Sequence, residues 1–158
     1  TYTMTRFDMI PAIERVVAEL RPLAEQRQLR FSLRKNVTGP CIISGDEEKI
    51  EQHVIRNIID NSIRYTLKGS VGVEVSVSGS NLRFVVEDTG IGITKEDMGR
   101  LFTEGGHGKE SVRVNVHSTG YGLFVAKQVI DAHHGTIRAL SEGENKGARF
   151  IVEFPLAA

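Results

Sequence analysis

Apolar residues recur along this 158-residue chain with two periods, and the switches between them mark its elements. From about Met9 to Gln28, the residues Ile13, Val16, Val17, Leu20 and Leu23 share one helical face. Pro11 suits a first helical turn, whereas Pro22 removes a donor within the pattern and is expected to kink or split the helix. Phe31 and Leu33 alternate with polar residues as a strand does, Thr38-Gly39-Pro40 marks a turn, and Cys41 to Ser44 predicts a short strand. Asp46 is placed to cap a helix whose stripe, Ile50, Val54, Ile58 and Ile59, runs to about Tyr65. Val71, Val73, Val75 and Val77 then alternate, Gly79-Ser80-Asn81 turns, and Leu82 to Val86 returns, which predicts a hairpin with one buried face.

Gly90 to Met98 reads as a turn entering a short helix that ends near Phe102. Thr103 to Thr119 holds Gly105, Gly106 and Gly108 with scattered charge, and predicts a long mobile loop of the kind that usually serves function. Gly120 to Ala132 is helical, with Leu123, Val125, Ala126, Val129 and Ile130 apolar. Thr136 to Leu140 and Ala148 to Phe154 are two further strands around a turn at Gly143 to Gly147. The order predicts an α/β (α+β) two-layer sandwich: a mixed, mostly antiparallel five-stranded sheet with about three helices on one face. One domain over residues 1–158 fits the length.

Composition narrows the partners. Twenty basic against twenty acidic residues leave no net charge, so no overall field draws the chain to nucleic acid or an anionic membrane. The single cysteine, Cys41, excludes an internal disulfide and a multi-cysteine metal site. No apolar run approaches the ~20 residues needed to span a bilayer. The first residues have no initiator Met and no signal-peptide pattern, which predicts a piece of a longer protein.

Three segments carry candidate chemistry. Asn57 and Asn61 lie four apart on one helical face, leading to Arg64 and Tyr65. A carboxamide oxygen is a good neutral ligand for Mg²⁺, although a pair of buried amides bonded to backbone is the plainer reading of these two alone. Asp88-Thr-Gly-Ile-Gly92 and then Ile93 follow an apolar strand. A carboxylate there can accept from an adenine amine, and Gly90 and Gly92 let backbone approach a flat base. By itself the same stretch reads as an ordinary turn. Ser118-Thr-Gly-Tyr-Gly122, followed by Leu123, opens a helix whose free N–H groups suit phosphate. It is not a P-loop, because no Gly-Lys-Ser/Thr follows.

Together these segments resemble the catalytic and ATP-binding domain of sensor histidine kinases, within the GHKL ATPase superfamily. Asn57 to Thr66 (NIIDNSIRYT) is similar to the N box, DTGIGI from Asp88 to the G1 box and Leu101-Phe102 to the F box. STGYGLFVAKQVI from Ser118 is similar to the G2 box, and Gly147 to Phe150 to the last glycine motif. The resemblance runs from Phe7 to Pro155.

It implies a set of roles. Asn61 would hold Mg²⁺, with Asn57 near the phosphates or the phosphoacceptor, and these two would be the catalytic pair. Arg64 would face phosphate and Tyr65 would stack beside adenine. Asp88 would bind the adenine amine, with Gly90, Ile91, Gly92, Ile93 and Phe102 around the nucleotide. Thr103 to Thr119 would be the ATP lid, from which Lys109 or Arg113 reaches the γ-phosphate. Ser118, Thr119, Gly120, Tyr121, Gly122 and Leu123 would bind the polyphosphate. Ala148 stands near the base where the family often has Thr or Ser. His134 stands where a His-Gly-Gly helix end is common, and His133 and His134 read as helix-end residues rather than a metal pair.

The implied function is transfer of the γ-phosphate of Mg·ATP to a His on a separate dimerisation domain, and onward to the Asp of a response-regulator receiver domain. In gyrase and mismatch-repair relatives a Glu one turn before the metal-binding Asn activates water. Asn57 stands there in this chain and cannot act as a base, which favours transfer over hydrolysis. None of the five His is followed by Glu or Asp, so the phosphoacceptor domain is expected to lie outside this chain, which would then not phosphorylate itself efficiently. The expected place is the cytoplasm, with no membrane contact from this domain, while anchoring of the parent stays open. Two alternatives stay open as well: a nucleotide-binding regulatory module without transfer activity, and a serine kinase of the anti-sigma type.

Overall fold

A computed structural model describes residues 1–103 and 122–158. The elements in order are β1 (Thr5–Asp8), α1 (Met9–Gln26), β2 (Arg30–Asn36), β3 (Ile42–Gly45) and α2 (Glu47–Lys49). A π-helical stretch (Ile50–Ile55) runs straight into α3 (Arg56–Arg64). Then come β4 (Ser70–Ser78), β5 (Asn81–Asp88), α4 (Lys95–Met98), α5 (Gly122–Ala132), β6 (Thr136–Leu140) and β7 (Ala148–Pro155).

Five strands form one sheet in the order β2-β4-β5-β7-β6. Only the β2–β4 pair is parallel; the other three are antiparallel. The alternation seen in sequence decides the faces. Val71, Val73, Val75, Leu82, Phe84, Val86, Phe150, Val152 and Phe154 all point into the core. The helices supply the facing layer, with Met9, Ile13, Val16, Val17, Ile58, Ile59, Ile63, Ala126 and Ile130 buried. Phe84, Phe150 and Phe154 are among the largest fully buried side chains, and truncating such a residue to Ala costs about 3–5 kcal/mol.

Three details depart from the expected pattern. First, β3 does not join the main sheet. It pairs with β1, a strand the apolar pattern does not announce, through Thr5↔Gly45 to Asp8↔Ile42. Asp8 fixes this corner, because its Oδ1 accepts from Ile10 N–H at 3.0 Å, capping α1, and from Cys41 N–H at 3.0 Å. Second, α1 is uninterrupted from Met9 to Gln26, so Pro22 neither splits nor ends it. Pro22 and Ala18 both lie on the exposed face, so the carbonyl that loses its partner meets water, while Leu20 and Ala24 keep the opposite face packed. The helix stops two residues earlier than expected, because Gln28 turns to φ 59°.

Third, the helix preceding Asn57 is π-helical over Ile50–Ile55, and Arg56 N–H reaches back five residues to Glu51 O. Ile50 and Ile55 are both fully buried at a spacing of five, which a regular α-helix would not place on one face. The π turn takes up the extra residue and leaves α3 correctly aimed. No helix among the described residues is long and apolar enough to cross a membrane.

Candidate functional site

Asp88 is the last residue of β5, a strand flanked on both sides, and it registers with Val71 and Ala148. Its side chain is 4% exposed. Oδ1 accepts from Gly90 N–H at 2.9 Å and from Ala148 N–H at 3.2 Å. A carboxylate that accepts backbone N–H bonds is held in one orientation, and such charge-assisted bonds are the stronger kind. Ala148 thus contributes its backbone, and its methyl group is buried.

The loop after Asp88 is threaded between two neighbours. Ile91 N–H donates to Tyr65 O at 3.0 Å, which ties the loop to the end of α3. A Cβ on Gly90 would overlap the Tyr65 carbonyl and come within 2.9 Å of Thr66 Oγ1, so only Gly fits at that approach. Gly92 has φ +75°, and a Cβ there would overlap the Gly143 carbonyl of the β6–β7 turn. Thr66 is a member of the site that no sequence argument singled out. It is fully buried, bonds Ser62 O at 2.7 Å and forms part of the Gly90 wall. Its signal was its position as the last residue of the N-box pattern.

Along α3, Asn57 and Asn61 are half-buried on a shared face. Asn57 Nδ2 donates to Gly122 O at 3.1 Å, which joins this helix to the start of α5. Asn61 is different. Its Nδ2 is buried and has no partner among the described residues. A buried amide left unsatisfied costs about 1–3 kcal/mol, so it can take a partner from outside the described residues, chain or ligand. The two ends of a carboxamide are assigned from their bonding network, so the group open here is the NH2, a donor to a phosphate oxygen, or, with the amide turned over, the carbonyl oxygen, a ligand for a cation. Asn61 therefore fits the Mg²⁺-ligand role by its chemistry. Among the described residues no group of three or more His, Cys, Asp or Glu could hold a metal, so a cation here would lean on phosphate and water as well.

Arg64 does not extend freely. Its Nε pairs with Asp60 Oδ2 at 2.9 Å, one turn back on α3. Tyr65 is 2% exposed and borders the loop through its carbonyl. Ile93 and Leu101 are buried, and Phe102 packs edge-on against Phe150 with centroids 6.5 Å apart. These residues wall the site from the core side. Gly122 and Leu123 stand in the first described turn of α5, an eleven-residue helix. Lys109, Arg113, Ser118, Thr119, Gly120 and Tyr121 lie outside the described residues.

His133 and His134 belong to the scaffold. His133 is buried, with Nδ1 2.6 Å from Val129 O and Nε2 accepting from Asp46 N–H at 2.9 Å. That places the proton on Nδ1 and leaves no ring nitrogen for a metal. His134, at φ 60°, turns the chain out of α5. Asp46 in turn caps α2 through Lys49 N–H and holds Thr3 N–H at 2.8 Å. These bonds, the Thr3 one foremost, hold its carboxyl below the usual carboxylate range.

Comparison with known proteins sets this geometry in a family. The family model described as histidine kinase-, DNA gyrase B- and HSP90-like ATPase matches residues 45–158. The chain is 31% identical to the sensor histidine kinase YclK of Bacillus subtilis over 160 residues, covering 99% of this chain and 33% of that protein. It is 31% identical to the sensor histidine kinase RcsC of Escherichia coli over 141 residues, covering 89% of this chain and 15% of that protein. The chain therefore spans a third or less of these curated relatives. Among solved structures, the catalytic domain of histidine kinase ThkA superposes with a TM-score of 0.78 at 22% identity, covering 98% of this chain and 96% of that one. Full-length ShkA in complex with AMPPNP superposes with a TM-score of 0.80 at 24% identity, covering all of this chain and 32% of that one. Both likenesses are in fold.

Proposed function

The chain belongs to the histidine kinase-, DNA gyrase B- and HSP90-like ATPase family, and from that premise we propose that it is the ATP-binding catalytic domain of a sensor histidine kinase. It binds Mg·ATP and donates the γ-phosphate to a His on a separate dimerisation domain, for onward transfer to a receiver-domain Asp. One observation carries the reading. Three segments far apart in sequence converge at one end of the sheet: the buried Asp88 carboxylate with its glycine loop, the Asn57–Asn61 face, and the start of α5.

Asp88 would accept from the exocyclic amine of adenine, with Tyr65 and Ile91 walling the base. The first N–H groups of α5 would meet the polyphosphate. Asn61 would hold Mg²⁺, which when bound neutralises phosphate charge. Asn57, already bonded to Gly122 O, would fix the spacing between the metal side and the phosphate side. An amide at this position takes no proton, so this chain positions the nucleotide and leaves the nucleophile to its partner. Lys109 or Arg113 would reach the γ-phosphate, with Ser118, Thr119, Gly120 and Tyr121 along the polyphosphate. A domain that uses ATP in this way works in the cytoplasm, where ATP is. The complex of ShkA with AMPPNP supports the nucleotide assignment by analogy of fold.

The test adds γ-labelled ATP to this chain, alone and mixed with a separately expressed His-bearing dimerisation domain. An acid-labile, base-stable label on the dimerisation domain, with little on the chain alone, is the expected result. Nucleotide binding without any transfer would turn the reading toward a regulatory module. An acid-stable label on a partner Ser would turn it toward a serine kinase of the anti-sigma type.

A further inference from the structure

We infer that Ser141, at the start of the β6–β7 turn, is a positioning residue for the base-binding loop and so sets affinity for the adenine end of the nucleotide. The inference rests on the nucleotide function proposed for this site. Ser141 follows β6 in the run Ser141-Glu-Gly-Glu-Asn-Lys-Gly147, which in sequence is only a polar turn. In the structure its hydroxyl is a three-way junction. Oγ donates to Gly147 O at 2.6 Å and accepts from Ile93 N–H at 3.0 Å and Gly143 N–H at 3.2 Å. One donor and two acceptors are all that a serine hydroxyl has, so the group is fully used.

The junction bears on the loop after Asp88. Gly147 N–H bonds Gly90 O at 3.1 Å and Asn145 N–H bonds Ile91 O at 2.7 Å. With Ser141 on Ile93 N–H, the turn holds the loop at three points, residues 90, 91 and 93. Tyr65 O holds the other side through Ile91 N–H. Between these grips Gly92 presses against the Gly143 carbonyl with no space for a side chain. The turn has little ladder of its own, because Gly143, Asn145 and Gly147 all have positive φ, at 125°, 62° and 72°. Within it the hydroxyl of Ser141 reaches both arms, at Gly143 and Gly147, and also the loop, at Ile93. Removing it frees Ile93 N–H, Gly143 N–H and Gly147 O together, so the loop loses one of the turn's three holds while the turn that makes the other two loses the bonds that join its own arms.

Calorimetry of the whole chain with the β,γ-imido analogue of ATP and with ADP, both with Mg²⁺, tests this on wild type, S141A and S141T. S141A is expected to bind both nucleotides roughly 5- to 10-fold more weakly, the scale of one or two neutral hydrogen bonds. The two losses should match, because the base is common to both ligands, and S141T should recover wild-type affinity to within about twofold. Affinity of S141A within twofold of wild type overturns the inference, even if its melting temperature falls, because that outcome is a purely structural role. S141T as weak as S141A also overturns it. Should S141A not fold, hydrogen exchange on wild type decides: nucleotide should slow exchange at the Ile93 and Gly143 amides, and no slowing overturns the inference. Wild type that binds neither nucleotide sinks the functional reading and the inference with it. Wild type that binds while S141A matches it sinks the inference alone.

Discussion

Replacing Asp88 with Asn changes one oxygen to an amide nitrogen and almost nothing in size. The amide oxygen can take the place of Oδ1 and keep both backbone bonds, to Gly90 N–H and Ala148 N–H, now as neutral bonds. The ligand-facing change is larger. A hydrogen bond to a charged acceptor contributes about 1.5–3 kcal/mol, against about 0.5–1.5 for a neutral one. With the base placed as proposed, the new amide also sets a donor against the donor of the adenine amine. With Asp88 only 4% exposed, water cannot make up the difference. The combined loss should be about 1.5–3 kcal/mol, or roughly 10- to 100-fold in Kd. Calorimetry with the β,γ-imido analogue of ATP, ADP and adenosine should show the same factor for all three, since the contact is with the base. Inorganic triphosphate should bind wild type and variant alike. Asp88→Asn that stays folded and binds ADP within twofold of wild type refutes the reasoning, and so does an equal loss for triphosphate.

Other outcomes come from separate parts of the structure. Asn61→Ala should abolish the difference in ATP-analogue affinity measured with Mg²⁺ and with a chelator, because the buried amide of Asn61 is the group left for the metal side; a retained difference places the metal elsewhere. Deleting His53, an exposed residue of the π stretch, brings Ile50 to four residues before Ile55, so the helix should become regular with both core faces kept. Urea denaturation should then give stability within about 1 kcal/mol of wild type, whereas a deletion inside α3 would rotate the remainder of that helix by about 100° and unfold the domain; collapse on deleting His53 contradicts this account of the π turn. Asp46 tests pH dependence. Its carboxyl is held below its unfolded-state value by Thr3 N–H first and Lys49 N–H next, so the stability it adds is present above the ordinary Asp range and is lost as pH falls through the lowered value. The gap in melting temperature between wild type and Asp46→Asn should be full near about pH 6 and close as pH drops below about 4; a gap constant with pH contradicts it.

Much of this was legible because the residues concerned obey one local rule each. The valines of β4 alternate, so their strand and its buried face come from period alone, and Leu82, Phe84 and Val86 answer them on β5. Asp88 with Gly90 and Gly92 reads by itself as an ordinary turn, and it became a candidate only in company with the Asn57–Asn61 pair and the Ser118–Gly122 segment. The features that stayed hidden depend on partners distant in sequence. Thr5–Asp8 carries no alternation, and its strand exists because Asp8 is bonded to Cys41 N–H, 33 residues away. Pro22 looked like a breaker, yet its cost depends on whether the orphaned carbonyl faces water, which periodicity does not weigh at one residue. The π turn did leave a trace, the five-residue step from Ile50 to Ile55, but reading it requires knowing that both are buried. Ser141 left none, since its three partners are a turn and a loop 48 residues apart.

The proposed site places a purine against Asp88, between Tyr65 and the Gly90–Gly92 loop, with its phosphates directed to Asn61 and the start of α5. A crystal structure of the chain with the β,γ-imido analogue of ATP and Mg²⁺ tests it most directly. The expected result is the exocyclic amine within hydrogen-bond distance of the Asp88 carboxylate and the cation beside Asn61. A purine bound on the opposite face of the sheet, or phosphates away from the first turn of α5, would contradict it.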